Sequence, residues 1–486
     1  MKTDVLIIGG GVIGCAVAYE LAKYKIDVVV LEKDGDIANG TSKANSGIAH
    51  NGFGEKATTI RGKYCVRGSK MLKDLCEQLH VPYIHRIGAV GVGFDEADLK
   101  KMEYAKKNAE QLGIDDVQIL SGDAIFELEP NLSRDVKYAI FNPGLSIIGS
   151  YELNIAFGES AARNGVRFLL NHEVLSIDTK DRKVTSVHTN HGDFEAKVVI
   201  NAAGLYADKI ASMVEEIDFA IRPRKGEYFL YDKKVRTKLN HIVGDLGSEY
   251  SKAMIVAPTV HGNVLAGSSA AFIEEKDDYG TTGEKLDMIY DTLISKALPS
   301  IPRFGDVITT FAGNRAASST EDFIIEFAKT VDGFINLAGM QSPALTSSPA
   351  IAEDVVEMVK EAGLTLEKKE EYLPFREKPV VISELEPDEI NKLIKERPDY
   401  GDIICRCETI SRGEIIDAIR SPIPAVTVDA IKRRTRAGMG RCQGGFCGPR
   451  VLAIVAEELG VDLTEINKSN SGSYMVSGKT KEMQEC

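Results

Sequence analysis

The stretch Asp4-Val5-Leu6-Ile7-Ile8-Gly9-Gly10-Gly11-Val12-Ile13-Gly14 decides the fold of this chain. Its apolar first half is too short for a helix and is typical of a buried parallel strand. Gly9, Gly11 and Gly14 satisfy the G-x-G-x-x-G spacing, in which glycines permit a tight turn, close approach to a pyrophosphate and close packing of helix on strand. A helix over residues 12–23 then turns its free amide groups toward the phosphates.

A second strand over residues 27–31 leads to Glu32 and Lys33. A carboxylate at the end of this strand accepts hydrogen bonds from ribose hydroxyls and repels a 2′-phosphate. The order of strand, glycine turn, helix, strand and acid predicts dinucleotide binding rather than an ordinary strand–helix turn. It leaves open whether the dinucleotide is FAD or NAD.

Length and charge limit the class of protein. The 486 residues suffice for about two to four domains, and the net charge of −13 argues against a nucleic-acid partner, which requires a basic face. The first strand begins too early for a secretion signal, and no apolar run is long enough to span a bilayer. We therefore expect a cytoplasmic protein without a transmembrane segment.

Further glycine-rich stretches indicate a cofactor site. Residues 40–52 are mostly small and polar, and the strand stretches 198–204 and 333–339 each end in glycine, which lets backbone approach a ligand closely. These strand ends suit a two-part FAD fold. The predicted cofactor-binding residues are Gly9, Gly11, Val12, Ile13, Gly14, Glu32, Lys33, Thr41, Ser42, Asn45, Ser46, Val174, Ala203, Gly204, Gly339, Ser342, Leu345 and Thr346.

The pattern predicts an α/β fold: a Rossmann-like FAD-binding domain with an inserted mixed-sheet substrate domain, plus a small C-terminal iron–sulfur domain. Periodicity predicts helices at 60–79, 96–112, 151–164, 284–298 and 350–362, and strands at 88–94, 167–176, 227–231, 254–258, 264–266 and 307–311. The predicted domains are 1–80, 151–215 and 312–365 (FAD-binding), 81–150 and 216–311 (substrate), 366–402 (linker), 403–459 (2Fe–2S-binding) and 460–486 (polar, mobile tail).

Four of the eight cysteines, Cys405, Cys407, Cys442 and Cys447, occur as two close pairs near the C-terminus. In a cytosolic chain this clustering favours a metal centre over disulfides, and it suits either a 2Fe–2S cluster or a tetrahedral zinc ion. The arginines and glycines around the second pair favour the cluster. They place cations beside an anionic centre and free backbone amides to point at sulfur.

His50, Arg315 and Lys252 are the candidate catalytic residues. A neutral imidazole at His50 would accept a hydroxyl proton, although a lone histidine is more often structural. Arg315 follows a predicted strand and would bind a substrate carboxylate or phosphate, the alternative being a surface or salt-bridging arginine. Lys252 and Lys225 are weaker candidates for the same anion-binding role.

Residues 1–365 resemble the flavin oxidoreductase family that includes D-amino-acid oxidase, glycerol-3-phosphate dehydrogenase and L-2-hydroxyglutarate dehydrogenase. The resemblance is carried by residues 7–14, 46–50, 201–204 and 313–315. It implies FAD as cofactor, His50 near the flavin ring and Arg315 on the substrate anion.

Residues 403–450 resemble the bacterioferritin-associated ferredoxin module, in the version fused to the catalytic subunit of anaerobic glycerol-3-phosphate dehydrogenase. This chain has four residues between its last two cysteines, where the free-standing ferredoxin usually has two. The resemblance implies a 2Fe–2S cluster that passes electrons singly to a partner protein or subunit.

Together these features predict an FAD-dependent dehydrogenase that oxidises a small anionic secondary alcohol, glycerol 3-phosphate first. The alternatives are an L-2-hydroxyglutarate or amino-acid dehydrogenase on the same scaffold, and an electron-transfer subunit without its own substrate turnover. Several cations in the substrate pocket would favour the phosphate, and a pocket fitted to carboxylates alone would favour the hydroxy acid.

Overall fold

A largely parallel sheet, the nucleotide sheet, forms the centre of the computed structural model, which describes residues 1–247, 253–478 and 480. Its first strand, Lys2–Ile8, lies between Gly192–Asn201 and Val28–Leu31, parallel to both. The strand order is Val174–Lys180, Lys183–Thr189, Gly192–Asn201, Lys2–Ile8, Val28–Leu31 and Arg167–Leu169, with Phe334–Ala338 paired to Gly192–Asn201 and Ile324–Phe327 paired to Phe334–Ala338.

Helices cover the nucleotide sheet and bury one continuous apolar core. Val12–Leu21 packs between Ser150–Arg163 and Ala344–Glu361, and Ile60–Leu79 packs against the last of these. The helix Val12–Leu21 is buried along nearly its whole length, which fits its apolar composition. The parallel strands and covering helices confirm the predicted α/β architecture.

A second sheet, the mixed sheet, is built from residues inserted into the nucleotide fold. Its strand order is Ala271–Phe272, Ile221–Tyr231, Val264–Gly267, Ile255–Pro258, Ile242–Gly244, Ala89–Gly93, Tyr138–Asn142 and Gln118–Ser121, with Val307–Ser318 paired to Ile221–Tyr231. The helices Glu96–Gln111, Asp123–Leu128 and Gly283–Ile289 flank it, and the last continues through the π-helical turn Tyr290–Ile294 into Ser295–Ala297. A small sheet, Ile48–Ala49, Ser146–Ile148 and Tyr83–Ile84, joins this region to the loop after residue 40.

The cysteine domain, residues 403–459, contains the helices Arg412–Ile419, Val428–Thr435 and Gly448–Leu459 and the short strands Ile403–Cys405 and Ile410–Ser411. It has its own apolar core. The linker before it contains the short helix Pro387–Glu396 together with two 3-10 turns.

Some predicted boundaries are wrong. The strand predicted at 167–176 is two strands, because Asn171 adopts a left-handed backbone conformation, with φ of +60°, in a turn between them. The strand predicted to end at 311 continues to Ser318, since it pairs along the whole of Ile221–Tyr231, so Arg315 lies within it. The helix predicted from 350 begins at Ala344.

The tail also differs from the mobile segment that its polarity predicts. Ile466 is buried in the core of the cysteine domain, and residues 467–474 fold back on themselves and contact the nucleotide domain. Among the described residues, no helix combines the length and apolarity that a bilayer crossing requires.

Candidate functional site

The loop between the first strand and helix is shaped as a phosphate-binding turn. Gly9 has φ of +111°, and a Cβ there would lie 2.5 Å from a backbone carbonyl oxygen of the neighbouring strand end. A Cβ on Gly14 would lie 2.0 Å from the Gly9 carbonyl oxygen, so this glycine permits close packing of helix on strand. At Gly11 a Cβ meets only the Ser42 hydroxyl, at 3.5 Å, which leaves room beside the helix N-terminus for a phosphate.

Glu32 lies at the end of the second strand, as predicted. Its carboxylate accepts hydrogen bonds from the backbone amides of Gly10 at 2.7 Å and Asp34 at 2.9 Å. Burial, followed by the neighbouring Asp34 carboxylate, raises the pKa of Glu32 to about 7. The backbone bonds fix the direction of the carboxylate, which lines a cavity that extends along the glycine loop.

This cavity, the dinucleotide cavity, is where a dinucleotide would lie. Of the predicted cofactor-binding residues, those that line it are Gly9, Gly11, Val12, Ile13, Glu32, Lys33, Thr41, Ser42, Val174, Ala203 and Gly204. The cavity is also lined by Asn39, Lys43, Tyr206, Met340 and Asn470, which the sequence prediction missed. A long cavity that runs from an acidic strand end past a glycine loop fits FAD.

The other predicted cofactor residues lie outside the lining of this cavity. Gly14 acts through helix packing, and Asn45 bonds within its own loop, to the Ser42 carbonyl and the Gly47 amide. The remaining members of this group are Ser46, Gly339, Ser342, Leu345 and Thr346. Their binding to a cofactor stays a prediction.

His50 lies beside the start of the helix Ala344–Glu361. Its backbone amide donates to the Thr346 hydroxyl at 3.0 Å, and its ring Nε2 is 3.5 Å from the Ser342 hydroxyl. The structure therefore brings two of the predicted cofactor residues together with the predicted proton acceptor. His50 is half-buried, and both of these partners belong to one segment that lies far from it in sequence.

Arg315 lies opposite Arg224 on paired antiparallel strands. Its guanidinium donates to the Arg224 carbonyl oxygen at 3.4 Å, to the Tyr228 hydroxyl at 3.3 Å and to the Ser268 hydroxyl. Burial, followed by the positive charges of Arg315 and Arg61, lowers the pKa of Arg224. We call these three arginines the arginine group, and one of them, Arg61, is paired with the buried Glu55 carboxylate at 2.7 Å.

The arginine group is close to the loop of residues 40–52. The Thr41 hydroxyl donates to the Asn314 carbonyl oxygen at 2.6 Å, and a Cβ on Gly313 would lie 1.9 Å from the Ala44 carbonyl oxygen. The strand that carries Arg315 is therefore packed tightly against the loop that carries His50. Arg224 and Arg61 carried no sequence signal that distinguished them from other arginines.

The lysine candidates gain no support. The Lys225 amine is buried and paired with the Asp278 carboxylate at 2.7 Å, so it is a structural ion pair. Lys252 lies outside the described residues.

In the structure the four C-terminal cysteines form two pairs, Cys407 with Cys442 and Cys405 with Cys447. The sulfur atoms of Cys407 and Cys442 are 3.9 Å apart. Burial, together with the neighbouring Cys405 thiol, raises the pKa of Cys447 to about 12. Within the described part of the chain, no three His, Cys, Asp or Glu side chains converge on a single metal position. Two pairs of thiols suit the two irons of a 2Fe–2S cluster better than one zinc ion.

Backbone groups surround these sulfurs as the glycine content predicts. The amide of Phe446, with help from those of Gly444 and Gly445, lowers the pKa of Cys442. A Cβ on Gly440 would lie 2.2 Å from the Cys407 Cβ, so only glycine fits at this position. The donor set therefore fits an anionic iron–sulfur centre.

The nucleotide sheet, the glycine loop and the cavity define a dinucleotide-dependent oxidoreductase, and the paired cysteines add a one-electron centre. Residues 4–358 match the FAD dependent oxidoreductase family DAO, and residues 403–457 match the BFD-like [2Fe-2S] binding domain. The chain belongs to the DAO family of FAD-dependent oxidoreductases, and its cofactors are FAD and a 2Fe–2S cluster.

Relatives match almost the whole chain. It is 44% identical over 478 residues to a glycerol 3-phosphate dehydrogenase of Caloramator mitchellensis, which covers 98% of this chain and 99% of that protein. An anaerobic glycerol-3-phosphate dehydrogenase subunit A1 of Haloferax volcanii is 27% identical, and the match covers 94% of this chain and 83% of that protein. The FAD-bound L-alpha-glycerophosphate oxidase of Mycoplasma pneumoniae superposes with a TM-score of 0.73 at 31% identity, covering 77% of this chain and 98% of that one.

Proposed function

We propose that this enzyme oxidises the secondary alcohol of glycerol 3-phosphate to the ketone of dihydroxyacetone phosphate. The observation that carries the proposal is the pair Arg224 and Arg315, which lie opposite each other on antiparallel strands. A phosphate dianion has the charge and the number of acceptor oxygens to engage several guanidinium groups at once. The glycerol 3-phosphate enzymes among its relatives support the same substrate.

His50 is proposed as the proton acceptor. The Thr346 hydroxyl anchors its backbone and the Ser342 hydroxyl contacts its ring, and a neutral imidazole takes the hydroxyl proton as the C–H bond breaks. Arg315 positions the substrate through its phosphate. Bound FAD supplies the two-electron acceptor for this oxidation, and a bound 2Fe–2S cluster supplies a one-electron route out.

An electron-accepting protein or subunit is the proposed partner. Cys407 is exposed, as are the neighbouring Phe446 and the side chain of Arg441, so the cluster end of the cysteine domain is accessible from solution. We also propose that the enzyme works in the cytoplasm. None of the described cysteines forms a disulfide bond, which fits a reducing compartment.

Anaerobic visible spectroscopy of the purified protein tests the substrate. Glycerol 3-phosphate should bleach the flavin bands and then the broad iron–sulfur absorbance, because the proposed electron route leads from the flavin to the cluster. Bleaching by L-2-hydroxyglutarate with no response to glycerol 3-phosphate would replace the substrate. If neither substrate bleaches the flavin, the chain would be an electron-transfer subunit and the proposal would be wrong.

A further inference from the structure

Residues 467–474, which we call the C-terminal segment, lie beyond the parts of the chain that match either family. They nevertheless contact the nucleotide domain. Asn470 lines the dinucleotide cavity together with Glu32, Asp34 and Asn39. A residue contributed by the far end of the chain is therefore part of the wall of the cofactor site.

The C-terminal segment is held in place by the cysteine domain. Lys468 pairs with the Asp429 carboxylate at 2.8 Å, and its carbonyl oxygen accepts from the Asp429 amide at 2.8 Å. Its amide donates to the Ser473 carbonyl oxygen at 2.7 Å, which closes a tight loop with Asn470 near its tip. Asn470 is thus presented on a structured loop and not on a free chain end.

Asn39 connects this loop to the nucleotide domain. Its side chain is almost fully buried and hydrogen-bonds to Asp34 at 3.0 Å, Lys43 at 2.7 Å and Arg433 at 3.1 Å, and it also donates to the Asn470 side-chain oxygen. Asp34 is two residues after Glu32, where the ribose of a bound dinucleotide is expected. Asn470 is therefore on the adenosine side of the cavity.

We propose that Asn470 is a cofactor-contacting residue that closes the adenosine half of the FAD site. A primary amide has two N–H donors besides the oxygen that Asn39 occupies, and ribose hydroxyls and adenine nitrogens are matching acceptors. FAD binding and docking of the C-terminal segment then favour each other, because linkage between two binding events is reciprocal. The inference rests on the FAD family and is independent of the proposed substrate.

FAD affinity of the deflavinated full-length protein tests the proposal, read from quenching of flavin fluorescence. Asn470→Ala should raise the Kd of FAD about three- to tenfold, the cost of a lost hydrogen bond. ADP, which has the adenosine half without the flavin, should lose affinity by the same factor when it competes with FAD. Ser471→Ala is the matched control. Ser471 is the exposed next residue of the same loop, and its side chain lines a different cavity.

Hydrogen exchange gives a second readout that does not depend on the variants. Amides of the C-terminal segment should exchange more slowly after FAD is added to the deflavinated protein, and deletion of residues 468–486 should weaken FAD binding at least as much as Asn470→Ala. Equal FAD affinity for wild type, Asn470→Ala and the deletion would overturn the proposal. A loss of FAD affinity without a loss of ADP affinity would overturn the assignment to the adenosine half.

Discussion

Arg224 and Arg315 lie directly opposite each other on antiparallel strands of the mixed sheet, and the Arg315 guanidinium donates to the Arg224 carbonyl oxygen at 3.4 Å. Burial, followed by the positive charge of Arg315, lowers the pKa of Arg224, and the Glu321 carboxylate opposes this shift. Strand register thus brings together the two arginines that we propose for binding of the substrate phosphate.

Loss of a guanidinium from this site should weaken use of the phosphorylated substrate. Arg315→Lys removes the planar fork, and we expect kcat/KM for glycerol 3-phosphate to fall about 10- to 100-fold, with turnover of unphosphorylated glycerol little changed. Arg224→Gln should act in the same direction. Arg222→Gln, an exposed arginine on the same strand, is the control, and an equal loss from it would show that the effect is not local.

Replacement of the proposed proton acceptor should affect turnover and leave the cofactor bound. His50→Gln keeps a polar side chain of similar size, and we expect kcat to fall about 10²- to 10⁴-fold, the usual contribution of a general base. The flavin content, read from the visible spectrum, should be unchanged. The exposed His85→Gln is the control, and kcat of His50→Gln near the wild-type value would remove His50 from this role.

A methyl group on Gly440 should disrupt the cysteine site, because its Cβ would lie 2.2 Å from the Cys407 Cβ. We expect Gly440→Ala to retain less than roughly half of the wild-type iron, because the added methyl group displaces the ligand Cys407. The FAD content should stay the same. Gly448→Ala is the control, since the nearest atom to a Cβ there is the Met475 methyl at 4.0 Å. Iron analysis and visible absorbance make the comparison, and full iron in Gly440→Ala would contradict the described geometry.

The buried carboxyl of Glu32 should make the stability of the deflavinated protein depend on pH. Its pKa of about 7 lies above the ordinary value of 4.5, so the folded state holds this proton more tightly than the unfolded state. We therefore compare the free energies of unfolding of wild type and Glu32→Gln. The value for wild type minus the value for Glu32→Gln should fall by up to about 3 kcal/mol as the pH rises from about 4.5 to about 7. Urea titrations across this range measure the difference, and a flat difference would refute the raised pKa.

The cysteine domain should detach when its buried ion pairs are broken. Asp36 contacts Arg433 at 2.6 Å and Arg434 at 3.0 Å, and all three side chains are at most 5% exposed. Asp36→Asn leaves the buried Arg433 without its charge partner and leaves Arg434 with only the Glu159 carboxylate at 3.3 Å, at a cost of about 3–5 kcal/mol. We expect faster proteolysis within residues 366–402, whereas Asp402→Asn, which breaks an exposed ion pair with Arg450, should change the rate little.

The sequence by itself determined the nucleotide fold, the dinucleotide loop and the cysteine pairs. These features depend on local chemistry: Gly14 is required by its close contact with the Gly9 carbonyl oxygen in the same turn, and Glu32 follows a short, wholly apolar strand. Helix periodicity likewise located Ile60–Leu79 at its exact bounds. Such signals lie within a few residues of each other and can be read directly.

Only the tertiary structure decided which distant residues complete the sites. Arg224 joins Arg315 through the register of two strands that are about 90 positions apart, and Asn470 reaches the cavity because the cysteine domain docks on Asp36. Strand register and domain docking depend on the packing of the whole molecule, and an ordinary arginine or asparagine carries no local sign of either. For this reason the sequence predicted Arg315 but neither its neighbour Arg224 nor the contact of the C-terminal segment with the cavity.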